Sequence, residues 1–220
     1  MVSCLISAYY ASEFIHIRLH NLQGHERIVV CQAGSNEETI ARQFGAEQII
    51  TTPDIPTIGK AWNLAYREAT HEYVTTANTD DQIYTRGYER MAQVLDDHPD
   101  VDLVFSMVDV TSGGSPRTWD RIRKETGIYD AEEIIRRCII GPMPLWRRNL
   151  LDRIGGFEEG MVSADWEYWL RMHSKGAGFY YINKPLGCYA RRSDSLEHRS
   201  GSQLAREAII LRDKYRMVAV

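Results

Sequence analysis

No apolar run in the 220 residues approaches the ~18 that a membrane-crossing helix needs. The opening MVSCLISAYY lacks the basic stretch of an export signal and soon meets Glu13 and His16, so the expected location is cytoplasmic. Cysteine is sparse: Cys4, Cys31, Cys138 and Cys188 show no CxxC or Cys/His spacing, which argues against a zinc site or a disulfide framework and for free thiols. Basic excess is missing too. The 26 Lys and Arg face 30 Asp and Glu, a formal charge of -4, so the global electrostatic reason to bind nucleic acid is gone. There is no internal repeat and no low-complexity tract. What is present is an ordinary globular composition, 44% hydrophobic and 25% charged, on a chain long enough to bury a real core.

Short apolar segments at 2–8, 28–31, 47–51, 73–77 and 101–108 read as strands, and amphipathic stretches at 12–22, 37–44, 59–69 and 84–95 read as helices between them. This alternation predicts an α/β fold: a mainly parallel sheet sandwiched by helices, with ligands outside the carboxyl ends of the strands. After Thr111 the rhythm breaks into a Gly/Ser/Pro loop at 112–116, followed by Arg117, Arg121, Arg123 and Lys124, where mobility is expected. Beyond it come predicted helices at 131–137, 148–154, 164–173 and 203–216, an apolar segment IIGPMPLW, and strands at 179–182 and 186–189.

Two places carry chemistry. Asn78-Thr79-Asp80-Asp81 puts adjacent carboxylates where a buried strand runs into a loop, and like charges side by side favour a cation between them. A Mg²⁺ or Mn²⁺ held by one or two carboxylates, phosphate oxygens and water suits that arrangement; a simple helix cap is the alternative. Asp165 and Glu167 fall in the first turn of a helix, where the macrodipole already favours a carboxylate. Trp166, Trp169 and Leu170 recur at i, i+3 and i+4, the spacing of a core face rather than of sugar platforms.

Taken in order, several segments resemble family 2 glycosyltransferases of the GT-A fold. Ser7-Ala8-Tyr9-Tyr10 and Glu13-Phe14-Ile15 are similar to the opening P-T-Y-N run and its E-F-L patch, with Tyr9 at the position that stacks on the donor's base. Gln32-Ala33-Gly34-Ser35 stands where the family has D-D-G-S, so Gln32 would read the base through its amide. Gly59, Ala61 and Asn63 resemble the G-x-A-x-N helix, with Lys60 facing the diphosphate, and Asn78-Thr79-Asp80-Asp81 resembles D-x-D-D. Residues 143–148, Ile154-Gly155-Gly156-Phe157-Glu158 and 164–171 are similar to the R-R, I-G-G-F-D-E and E-D-x-x-x-W-L-R segments, with Ala164 in place of the first acid. Residues 189–196 resemble Y-R-x-H-x-x-S-L, with Arg192 at the histidine position and His198 a reserve metal ligand.

The resemblance implies a nucleotide-sugar-binding half at 1–110 and an acceptor-binding half at 111–220 within one continuous domain. It implies a nucleotide site of Ala8, Tyr9, Gln32, Lys60, Asn78, Thr79 and Asp80, metal ligands Asp80 and Asp81 for Mn²⁺ or Mg²⁺, and Asp165 as catalytic base. The implied activity is inverting transfer of a sugar, from a UDP-sugar by preference, to a saccharide or lipid-linked acceptor. Two rivals stand beside it. A sugar-phosphate nucleotidylyltransferase would need a Gly-rich basic loop after the first strand, and Ala8-Tyr9-Tyr10-Ala11-Ser12 has neither glycine nor positive charge. A catalytically silent nucleotide-sugar-binding module is consistent with the missing acids at Gln32, Ala33, Asn78 and Ala164. The terminal helix, with Ile209 and Ile210 among Arg206, Arg212 and Lys214, is compatible with docking on the domain, with peripheral contact to a membrane surface, or with a second copy in a homo-oligomer.

Overall fold

The computed structural model describes residues 1–112, 120–125 and 129–216; Arg117 and most of the expected loop at 112–116 lie outside them. The strands are β1 (Ser3–Ala8), β2 (Glu26–Gln32), β3 (Gln48–Thr52), β4 (Tyr73–Thr76), β5 (Gln82–Ile83), β6 (Leu103–Ser112), β7 (Asp120–Glu125), β8 (Leu145–Arg147) and β9 (Phe179–Arg191). The helices are α1 (Ile15–Asn21), α2 (Asn36–Gln43), α3 (Ile58–Glu68), α4 (Gly87–Asp97), α5 (Glu133–Arg136), α6 (Leu150–Ile154), α7 (Ala164–Ser174), α8 (Leu196–Arg199) and α9 (Gly201–Arg216).

One sheet runs β3-β2-β1-β4-β8-β6-β9-β5, with β7 paired to β6. β1 pairs in parallel with β2 and β4, β2 with β3, and β6 with β9. β8 is antiparallel to both β4 and β6, so β4 and β6 point the same way and the carboxyl ends of β1, β4, β6 and β9 open onto one edge. β8 hides in IIGPMPLW because an apolar run that is buried on both faces carries no period-2 signal: Trp146 enters one core and Leu145 the other. The strands expected at 179–182 and 186–189 are one strand. Its pairing with β6 slips around Met107, which faces Pro185, a residue with no N–H to give the ladder.

Alternation along the strands builds two cores. Leu5, Ile28, Val30 and Val74 face α3, α7 and α9, while Cys4, Ile6, Val29 and Cys31 face α1, α2 and α4. No disulfide joins the four cysteines; Cys138 is exposed and the others are buried. Burial pushes the Cys4 thiol up to about 12. The first core is aromatic: Phe157 lies 4.4 Å from Tyr168 and Trp146 5.2 Å from Trp169, ring centre to ring centre. Trp169 is therefore core, as its spacing implied.

Three polar brackets fix the second half of the chain, and the first of them ties it to α3 in the first half. On α3, Asn63 donates to the Phe157 carbonyl (2.9 Å) and the Glu159 carboxylate (3.0 Å) and accepts from the Phe157 N–H (2.7 Å). Gly59 permits this approach, since a Cβ there would sit 2.5 Å from the Glu158 carbonyl oxygen. On α7, buried Glu167 accepts from Arg171 (2.8 Å), Lys214 (3.2 Å) and Tyr215 (2.7 Å), and Arg171 also donates to the carbonyls of Ile154 and Gly156. On α9, Glu207 accepts from the N–H of Val162 (3.0 Å) and from Gln203 (2.8 Å), as well as from Ser163 at the start of α7.

Candidate active site

A cleft of about 1320 Å³ lies along the edge where β1, β4, β6 and β9 end. That is larger than the roughly 300–1,000 Å³ of a pocket for one small ligand. Strand alternation decides which residues of the first loop reach it. Ser7 and Tyr9 line the cleft, whereas Ala8 points into the second core. The Tyr9 hydroxyl is fixed by Thr52 Oγ1 at 2.9 Å. Tyr10 follows at the mouth, 73% exposed and with φ of 55°, a left-handed conformation that costs a non-glycine residue.

After β4 the chain presents Asn78, Thr79 and Asp80 to the cleft. The two carboxylates then part company. Asp81 is 1% exposed and turns into the fold, where Oδ2 accepts from Asn78 Nδ2 (3.0 Å) and Oδ1 from the Ala190 N–H on β9 (3.1 Å). Burial and the neighbouring Asp80 push the Asp81 carboxyl up to about 7. Burial also raises Asp80, opposed by its own backbone N–H and by the charges of Arg192 and Arg18. Arg192 lines the cleft, stacked over Phe14 at 3.8 Å with Nε on Asp194 at 2.9 Å. His198 does not reach the cleft and its ring nitrogen lies 3.0 Å from Ser195 Oγ.

On the opposite wall α7 begins. Asp165 lines the cleft with Oδ1 accepting the Trp166 N–H at 2.7 Å. Trp166 also borders the cleft, its Nε1 donating to the Ile134 carbonyl at 2.7 Å, so it is shared between core and cleft. Three other expected residues stay outside. Ala8 is buried as described, the Gln32 amide is turned onto the Pro53 carbonyl at 3.3 Å, and Lys60 is exposed on α3. Thr57, Ile58 and Trp62 supply the α3 side of the cleft instead. Sequence reasoning missed the contributions of 137–142 and 160–163, which lie in loops and short elements with no periodic signal.

Among the described residues no group of three or more His, Cys, Asp or Glu side chains forms a metal cage. Asp80, the cleft-facing carboxylate of the loop after β4, still fits a Mg²⁺-type ion, which keeps several waters and binds through one or two carboxylates plus ligand phosphates. No helix among the described residues is long and apolar enough to cross a membrane.

The model of the family described as Glycosyl transferase family 2 matches residues 3–155. No curated protein matches the chain in sequence. Among solved structures, S. aureus TarS 1-349 in complex with UDP-GlcNAc is similar at TM-score 0.70 and 16% identity, over 95% of this chain and 66% of that one. Mannosyltransferase PcManGT from Pyrobaculum calidifontis, in complex with GDP-Man and Mn²⁺, is similar at TM-score 0.68 and 18% identity, over 95% of this chain and 64% of that one. Glucosyl-3-phosphoglycerate synthase from Mycobacterium tuberculosis, with Mn²⁺, UDP and glucosyl-3-phosphoglycerate, is similar at TM-score 0.68 and 14% identity, over 96% of this chain and 78% of that one. The chain spans about two thirds of the length of the first two. What it shares with all three is the GT-A fold.

Proposed function

The chain belongs to glycosyl transferase family 2, and on that premise we propose that it transfers a sugar from a nucleotide diphosphate donor to an acceptor hydroxyl, with inversion at the sugar carbon. The observation that carries this reading is that Asp80, after β4, and Asp165, at the start of α7, line one cleft. The volume of the cleft leaves room for a donor and an acceptor together.

Tyr9 offers an aromatic face for the base, and Asn78 and Thr79 offer polar groups for the ribose. Asp80 would hold the divalent ion, which when bound supplies Lewis-acid neutralisation of the departing diphosphate. Arg192, paired with Asp194, lies on the same wall. Asp165 accepts the proton of the acceptor hydroxyl as that oxygen attacks, a role worth roughly 10²–10⁴-fold in rate. One base opposite the leaving group supports a single in-line displacement. Of the similar structures, TarS is in complex with UDP-GlcNAc, PcManGT with GDP-Man and Mn²⁺, and glucosyl-3-phosphoglycerate synthase with UDP and Mn²⁺. They support a nucleotide-sugar donor with a divalent cation, and UDP is the favoured nucleotide.

The test is Asp165→Asn. Affinity for UDP with Mn²⁺ should be retained, while donor hydrolysis or transfer falls by roughly 10²–10⁴-fold, as for an interaction made chiefly in the transition state. Normal turnover in that variant refutes the mechanism, and loss of nucleotide binding moves Asp165 to the donor site.

A further inference from the structure

The chain carries a formal charge of -4, yet the cleft has the opposite balance. Among the described residues its charged lining is five arginines, Arg137, Arg191, Arg192, Arg199 and Arg212, against three aspartates, Asp80, Asp165 and Asp194, with no lysine or glutamate. Several of these guanidiniums are already engaged. Arg192 pairs with Asp194 and Arg137 with Glu133, while Arg199 lies over the Tyr10 ring at 5.7 Å.

Arg212 is held differently. Its Nε and Nη2 donate to the Arg136 carbonyl at 2.9 and 2.6 Å, and its guanidinium lies 5.8 Å from the Trp166 ring centre. Among the described residues no carboxylate pairs with it. The helix that carries it is anchored by buried Glu207, Leu211 and Tyr215, so the side chain projects from a rigid base. Trp166 directly follows Asp165, which places the uncompensated cation on the wall that holds the base. The donor's diphosphate has its own provision on the other wall, at Asp80 and Arg192. A guanidinium fixed in place, still charged and facing a cleft, suits an oxyanion in bidentate geometry.

We propose that the acceptor is an anionic molecule, carrying a phosphate or carboxylate group that Arg212 binds, with Arg137 beside it, so that its hydroxyl is presented to Asp165. This rests on the reading of Asp80 and Asp165 given above and extends it to the class of acceptor.

Thermal-shift titrations of the whole chain, saturated with UDP and Mg²⁺, test it with inorganic phosphate, acetate and glycerol as probes. Phosphate or acetate should stabilise the complex saturably and glycerol should not, and the anion that saturates identifies the group. Arg212→Gln should weaken that apparent Kd about tenfold, the scale of one charge-assisted hydrogen bond. Arg216→Gln, on the same helix but outside the cleft, should leave it unchanged, and the shift caused by UDP should be equal in all three proteins. Should the glutamine variant be unfolded, Arg212→Lys, which keeps the charge but not the fork, is expected to weaken the same Kd. No saturable response to either anion, or one indifferent to Arg212, overturns the proposal. Loss of the UDP shift in Arg212→Gln overturns it by assigning the arginine to the donor. Absence of that shift in the unaltered chain is distinct: it refutes the donor reading, and the acceptor proposal falls with it.

Discussion

Glu207 accepts hydrogen bonds from both the backbone N–H (2.8 Å) and the hydroxyl (2.7 Å) of Ser163, the residue that caps α7 just ahead of Asp165. A helix near the end of the described chain therefore sets where the base stands. The pairing also places a carboxylate at the positive end of the α7 dipole.

Replacing Glu207 with alanine leaves the N–H groups of Val162 and Ser163 without their partner. A loss of about 2–4 kcal/mol in stability is expected in urea titration. Because the start of α7 moves with it, donor hydrolysis should fall about tenfold in whatever fraction remains folded, while UDP affinity changes little.

Burial pushes the carboxyls of Glu167 and Glu207 upward, but hydrogen bonds from Arg171 and Tyr215 to the first, and from Ser163 and Val162 to the second, leave both below the ordinary value. A folded-state pKa below the unfolded one gives stability that is complete above the usual carboxylate range and is lost as pH falls through the folded value. Urea midpoints from neutral pH to about pH 3 should therefore drop more steeply for the unaltered chain than for Glu207→Gln.

The G-x-A-x-N pattern divides into two roles that a single experiment separates. Asn63→Ala removes three hydrogen bonds and orphans the buried Phe157 N–H, so it should cost about 2–4 kcal/mol. Lys60, exposed and outside the cleft, should change stability by no more than about 0.5 kcal/mol as alanine and should leave UDP affinity unaltered.

The contrast between these neighbours shows what was legible in the sequence. Spacing and residue type marked the segment, and hydrophobic periodicity placed it on a helix, but which side chain faced the cleft depended on how α3 packs against residues 156–159. The orientation of Gln32 depends on packing in the same way: the Pro53 carbonyl, from the loop after β3, takes its amide. The strands from β1 to β4 were readable because each is a short apolar run between turn signals. The two-residue β5 and three-residue β8 exist only through partners far along the chain, which local pattern does not reveal.

Asp80 and Asp81 should respond oppositely to the same change. Asp80→Asn should abolish the Mn²⁺-dependent part of UDP binding. Asp81→Asn should keep it within about fivefold, because an amide oxygen can still accept from Ala190 and the Asn78 amide can flip to match. Titration calorimetry with and without Mn²⁺ separates the two, and equal losses would place both carboxylates on the metal.

The bond from Asp81 to the Ala190 backbone ties the acidic loop after β4 to the end of the last strand. The loop that Asp80 shares is thus finished only when the distal part of the polypeptide has been laid against it. A fragment ending before β9 would contain almost every residue of the donor wall and still lack its shape. Donor recognition should therefore appear late and all at once during folding, following a contact of long sequence separation that is slow to form.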